Sequence, residues 1–246
     1  MKLPLHYLYL LLAIVFISGC ASTSDDTLFQ SDAAQRYHEL KQDVNKGEYS
    51  SAARDLGKFS SNYPYSKYAV QAELLRIFSS YKAGEIILTE TLSSTFIDRH
   101  PGHANVDYAK YMLALSHFKQ KSSSRHDSTH VILAIDTFKR LLKEHPESEY
   151  AEEGKQRLQS LYNQLAEHEL EVGKFYFEKD RFIAAANRFQ VITKDYQTSP
   201  SIEEALYLLA ASYSEMGMNS DAKQIALLLQ HNYPKSTWSN KAETYR

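Results

Sequence analysis

Gly47-Glu48-Tyr49-Ser50-Ser51-Ala52, closed ten residues later by Asn62-Tyr63-Pro64, is the stretch that decides the fold, because the chain repeats its outline. Turns of one kind stand at Asn62-Tyr63-Pro64, Arg99-His100-Pro101, Glu144-His145-Pro146, Asp195-Tyr196-Gln197 and Asn232-Tyr233-Pro234. Their third residues are 37, 45, 51 and 37 positions apart. Twelve residues before each comes a small side chain: Ala52, Thr89, Ala134, Ala185 and Ala222. Gly47-Glu48-Tyr49, Gly84-Glu85-Ile86 and Gly217-Met218 precede three of them. A small residue lets two antiparallel helices cross closely, a Gly or polar turn joins them, and a Pro cannot continue the second helix. Between these marks the apolar residues keep helical spacing, as in Ala69, Ala72, Leu75 and Phe78, or Leu206, Leu209, Ala210, Tyr213 and Met216.

The outline resembles the tetratricopeptide repeat (TPR), a helix pair of 34 residues. The expected fold is therefore all-α, a TPR-type helical superhelix of about five helix-pair repeats over residues 33–246. The pairs are expected at 33–61, 67–98, 104–143, 149–194 and 201–231, with a terminal piece after Pro234. The spacings exceed 34 by 3, 11, 17 and 3. The extra 11 fall on a polar loop, Lys119 to Asp127, and the extra 17 lengthen a helix running from Glu149 to Lys179, where Leu158, Leu161, Leu165, Val172, Phe175 and Tyr176 keep a stripe. Such repeats bury their faces against their neighbours and leave a concave groove, so the expected activity is binding. Tyrosine occurs 18 times, and Tyr63, Tyr65, Tyr68, Tyr81, Tyr108 and Tyr111 cluster in the first three repeats. Each suits a recognition surface and equally suits packing between helices.

Composition supports helices and removes several function classes. Gly 8 and Pro 6 among 246 residues are too few for a fold of many tight β-turns. Lys+Arg 28 against Asp+Glu 30 supplies no basic excess for nucleic-acid phosphates, so no nucleic-acid partner is expected. A single cysteine permits neither an internal disulfide nor a cysteine-rich zinc site.

That cysteine has another use. After Lys2, the mostly apolar run Leu3 to Ile17 is short for a membrane span and reads as a secretory signal over residues 1–19. Ile17-Ser18-Gly19-Cys20 matches the bacterial lipobox, which makes Cys20 the lipid-attachment residue and the membrane a partner through its acyl chains. Ala21, rather than Asp, at the next position implies the outer membrane. The polar segment to Asp32 reads as a flexible tether, residues 20–32.

An enzymatic reading finds no support in the motifs. His38-Glu39 and His168-Glu169 lack the second histidine that zinc hydrolase spacing needs, since Gln42 and Val172 stand there. No Gly-x-Ser-x-Gly elbow, phosphate-cradling loop or Gly-x-Gly-x-x-Gly occurs. Glu147-Ser148 sits in a repeat turn, without the lysozyme-like domain that a solenoid transglycosylase carries. No metal, cofactor or catalytic residue is expected.

The pieces taken in order resemble the BamD family, TPR lipoproteins of the β-barrel assembly machine of the Gram-negative outer membrane. The resemblance rests on the lipobox, on Tyr63-Pro64-Tyr65-Ser66-Lys67-Tyr68 with Gln71-Ala72, and on His100-Pro101-Gly102-His103 leading to Val106-Asp107-Tyr108-Ala109. It continues through Arg157-Leu158, Tyr176 and Ala184-Ala185-Ala186-Asn187-Arg188. Arg125-His126-Asp127-Ser128 departs from the family's Asp-Arg-Asp-Pro. The resemblance implies a scaffold at the periplasmic face of the outer membrane that works with the barrel protein BamA and other assembly lipoproteins on unfolded outer-membrane clients. It associates the N-terminal repeats with the client's C-terminal strand, for which Tyr65, Tyr68, Gln71 and Tyr108 are candidates, and the C-terminal repeats with BamA. Arg188 is the candidate at that second interface, or pairs with a carboxylate inside the solenoid. Two rival functions stand beside it: a pilotin-type lipoprotein for pilus or secretin assembly, which would share the lipobox and repeats but not the Tyr-Pro-Tyr and Val-Asp-Tyr pieces in this order, and a cell-wall enzyme or its activator, which would need a catalytic or peptidoglycan-binding segment that the sequence does not offer.

Overall fold

The computed structural model describes residues 22–120 and 129–246, and every regular element among them is helical. They fall into two compact units, one ending at Pro101 and one starting at Gly102. The first holds α1 (Ser22–Asn45), α2 (Tyr49–Asn62), α3 (Ala69–Lys82) and α4 (Ile86–Arg99). The second holds α5 (Val106–Gln120), α6 (Thr129–Glu144), α7 (Ala151–Phe177), α8 (Phe182–Asp195), α9 (Ile202–Glu215), α10 (Asn219–Asn232) and a short α11 (Thr237–Lys241) that runs into a 3₁₀ turn, Ala242–Tyr245. Within each unit every helix packs on the next in the chain, the nearest-neighbour pattern of TPR-type helix pairs. Five pairs are present among the described residues, as the periodicity requires. The expected loop at Lys119 to Asp127 falls mostly outside them, whereas the expected long helix is α7, 27 residues.

The small residues that mark the repeats do what their size demands. Ala52, Thr89, Ala134, Ala185 and Ala222 are all buried where the paired helices cross, and Thr89 Oγ1 is satisfied by donating to the Glu85 carbonyl at 3.0 Å. Large side chains then fill the gaps between helices, Leu56 and Phe59 in the first pair, Phe138 and Leu141 in the third, Phe189 and Ile192 in the fourth. Burying each contributes about 1.5 to 3 kcal/mol. Phe189 lies so close over Gly173 of α7 that a Cβ there would strike the ring.

Both turn types are built from local chemistry. Gly47, Gly84 and Gly217 take φ of +85°, +79° and +75°, a region that side chains with a Cβ avoid. In the fourth pair, which has no glycine there, Asp180 takes φ 56°, and Asp is among the residues that tolerate it best. The turns between pairs share a serine that the sequence reading passed over. Ser66, Ser148, Ser199 and Ser236 each offer Oγ to the backbone N–H two residues on, at 3.1 to 3.2 Å, which holds the turn just ahead of the next helix; Ser236 is itself the N-cap of α11. His103 Nδ1 serves the same purpose for Asn105 at 3.0 Å. In the fourth turn, where Gln197 stands at the proline position and Pro200 comes three residues later, Ser199 makes the same bond.

One expectation is corrected. The tether assigned to residues 20–32 is helical from Ser22 on, because α1 continues the stripe of Ala33, Leu40 and Val44 backwards to Phe29. The Phe29 ring meets Tyr63 with centroids 5.5 Å apart, and Tyr63 donates its hydroxyl to Asp32 in a short hydrogen bond.

Candidate functional site

The turn between α2 and α3 carries the first group of candidates. Pro64 ends the pairing of α2, Ser66 is buried and accepts from the Tyr68 N–H just ahead of α3, and Tyr65 between them is left 89% exposed. Its backbone is nonetheless held: Gln30 of α1 donates Nε2 to the Tyr65 carbonyl and accepts from the Lys67 N–H, both at 3.4 Å. Gln71, in the first turn of α3, is also exposed. Tyr68 is half-buried instead. Its ring stacks on Tyr37 at 5.0 Å and 17°, stands edge-on to His38 at 6.0 Å, and lies 5.2 Å from the Lys67 ammonium. Burial, with Tyr68 as neighbour, pushes the Tyr37 hydroxyl above its ordinary pKa, and the Asp32 carboxylate does the same to Tyr63. The turn therefore presents one aromatic ring to solvent on a backbone fixed from behind by α1.

Tyr108 belongs to the second unit and sits at the start of α5 in a tyrosine cluster. Its ring meets Tyr150 at 5.5 Å, and Tyr150 stacks on Tyr111 at 4.8 Å and 17°. Burial, followed by the neighbouring Tyr150 and Tyr111, raises its pKa well above the ordinary value. Packing accounts for Tyr68 and Tyr108; Tyr65 and Gln71 face solvent.

Arg188 on α8 donates one Nη to both oxygens of Glu169 on α7, at 3.1 and 3.4 Å. The carboxylate partner is there, but the pair is at the surface and not inside the solenoid, with the Arg188 side chain 44% exposed. Small residues precede it because Ala185 and Ala186 face the core, which turns Arg188 outward. It lines an open groove of about 330 Å³ with Tyr176, Ala184, Asn187 and Val191. Cys20 lies outside the described residues, as does Arg125-His126-Asp127-Ser128.

Three functional features escaped the sequence reading. Gln30 and Asp32 lay in the segment taken for a tether, although Phe29 to Ala33 already keeps the four-residue step of the α1 stripe. Gln159 repeats the role of Gln30 on the fourth turn, bonding Thr198 through both its amide atoms at 3.4 and 2.9 Å. Ion pairs link neighbouring elements, Glu73 with Arg99 and Lys110 with Glu144 on consecutive helices, and Lys174 of α7 with Glu204 of α9 across α8; His100 Nε2 also meets Glu73 at 3.0 Å. Among the described residues there is no group of three His, Cys, Asp or Glu placed to hold a metal, and no helix long and apolar enough to cross a membrane.

Comparison with known proteins adds the family. Residues 29–229 match the YfiO family, described as "Outer membrane lipoprotein". "Outer membrane protein assembly factor BamD" of Rickettsia prowazekii (strain Madrid E) is 31% identical over 242 residues, covering 98% of this chain and 96% of that protein. The protein of the same name from Vibrio cholerae serotype O1 is 30% identical over 232 residues, covering 90% and 96%. Among solved structures, the TPR2AB domain of yeast Sti1 in its pHSP90 complex is similar at 13% identity, with a TM-score of 0.44, over 87% of this chain and 84% of that one. Since the family match runs from α1 into α10 and these relatives align along nearly their whole length, the chain belongs to the YfiO family of outer membrane lipoproteins.

Proposed function

We propose that this protein is a scaffold lipoprotein of the β-barrel assembly machine, anchored through Cys20 at the periplasmic face of the outer membrane, that helps receive and insert outer-membrane β-barrel proteins. The observation that carries the reading is the family match across residues 29–229, with relatives named as outer membrane protein assembly factors. It is a binding protein, with Tyr65 and Gln71 as the contacts for a client's C-terminal strand and Tyr68 and Tyr108 as residues that support their elements by packing. A client strand of that kind alternates aromatic residues and ends on one. An exposed tyrosine on a braced backbone suits it, because little side-chain and loop freedom is lost on binding. Arg188 and its groove on α8 are the surface for a BamA-type partner.

Titration of a fluorescent peptide copying a client's last strand tests the first site. Tyr65→Ala is expected to weaken binding about tenfold, equivalent to about 1.4 kcal/mol, with unchanged melting because the ring is exposed. Affinity unchanged in both Tyr65→Ala and Gln71→Ala, or crosslinks confined to α7–α10, would overturn the assignment.

A further inference from the structure

Only Ala21 stands between Cys20 and the first residue of α1. Two peptide steps reach at most about 7 Å. From Ser22 to Gln30 the helix rises by about 12 Å at roughly 1.5 Å per residue. Gln30 then touches the recognition turn itself, at the Tyr65 carbonyl and the Lys67 N–H. Phe29 and Asp32 close the same clasp on Tyr63, one through ring contact and one through the hydroxyl. Three side chains within four residues of α1 thus grip one turn, from one side of one helix. Had the segment from Cys20 to Asp32 been a coil, it could have extended to about 40 Å, leaving the turn free to wander over that range.

We propose that α1 is a rigid bracket that holds the turn around Tyr65 at a fixed height, with its Gln30 clasp within about 20 Å of the lipid-bearing residue. The surface this arrangement fits is the bilayer itself, so a client's strand end is received at the membrane face and not out in the periplasm. Gln30, Phe29 and Asp32 act as positioning residues. The proposal rests on the reading of Cys20 as the acylated residue, and it adds a geometry that acylation alone does not demand. A long polar tether would anchor the protein equally well while averaging its height.

The test uses the full-length lipidated protein in vesicles of phosphatidylethanolamine and phosphatidylglycerol. Asn62→Cys, at the exposed end of α2, carries a fluorescent donor, and acceptor dyes on the lipid headgroups report its distribution of heights by time-resolved energy transfer. One narrow distribution is expected. Its width should at least double in the triple variant Phe29→Ala, Gln30→Ala, Asp32→Ala, and also when a six-residue Gly-Ser linker is inserted between Ala21 and Ser22, a change that leaves the clasp intact. A wild-type distribution as broad as that of the linker variant overturns the bracket. Failure of the protein to float with vesicles would instead remove the anchor. In that case amide exchange of residues 26–32 in the unlipidated chain decides: slow exchange supports the bracket and free exchange overturns it.

Discussion

Tyr65 and Tyr68 stand three residues apart and meet opposite fates. Ser66 between them is buried and bonded to the Tyr68 N–H, which turns Tyr65 out to solvent and sends Tyr68 back onto Tyr37. Residue type alone could not separate them, because the ring that suits recognition also suits packing. Arg188 is a case of the same kind. Its carboxylate partner exists, with Glu169 18% exposed and Arg188 44% exposed, and a pair open to water on the arginine side contributes about 1 kcal/mol. Arg188→Ala is therefore expected to melt within about 4 °C of the parent. Loss of pull-down of a BamA-type partner by that variant, at near-native melting, would mark Arg188 as an interface residue; native binding would reject that role. Tyr108 adds a pH dependence. Burial holds its hydroxyl above the ordinary value near 10, so the native state keeps a proton that the unfolded chain releases. Its contribution is whole below about pH 10 and is lost as the pH climbs from there toward the raised native pKa. Stability measured by denaturant titration should fall across that range, and Tyr108→Phe should make the fall shallower.

At the scale of the elements, the turns explain why the repeats survive changes in their marker residues. Proline at Pro64, Pro101, Pro146 and Pro234 only stops a helix, whereas the residue two positions on, Ser66, His103, Ser148 or Ser236, ties down the backbone that leads into the next one. The fourth turn keeps the second device, while its proline stands three positions later, at Pro200. Ser199→Ala removes a buried hydrogen bond and is expected to cost about 1 kcal/mol and to lower the melting temperature by about 2 to 4 °C. Gln197→Ala should change little, since its amide only reaches back to the Thr193 carbonyl on an exposed surface. A comparison of the two melting curves checks the assignment. α1 and α7 are the two helices longer than the repeat needs, 24 and 27 residues, and each uses the excess in the same way, with a glutamine that braces the turn of the pair ahead of it.

For the molecule as a whole, the first unit is centred on Ala33, Leu40, Leu56, Phe59 and Ala72, and the second on Phe189, Ile192, Leu206, Leu209 and Leu229 with their neighbours. Membrane attachment is a separate property, which the proposed function assigns to Cys20. Cys20→Ser should release the protein to the soluble periplasmic fraction with an unchanged melting curve; membrane retention after a high-salt wash would refute this. The sequence by itself determined the all-α class, the five helix pairs, the small residues at the crossings and the long α7. These follow from local rules of period, size and turn chemistry that act within a few residues. Only the tertiary structure decided which tyrosines are buried, that Arg188 faces water, and that residues 22–32 form a helix clasping the first turn. Each of these depends on partners about 19 to 42 positions away in the chain, Arg188 on Glu169, Gln30 on Tyr65 and Tyr108 on Tyr150. Helical period says which face of a helix is apolar, but what covers that face is set by the neighbouring helix, whose distance and rotation no local pattern encodes.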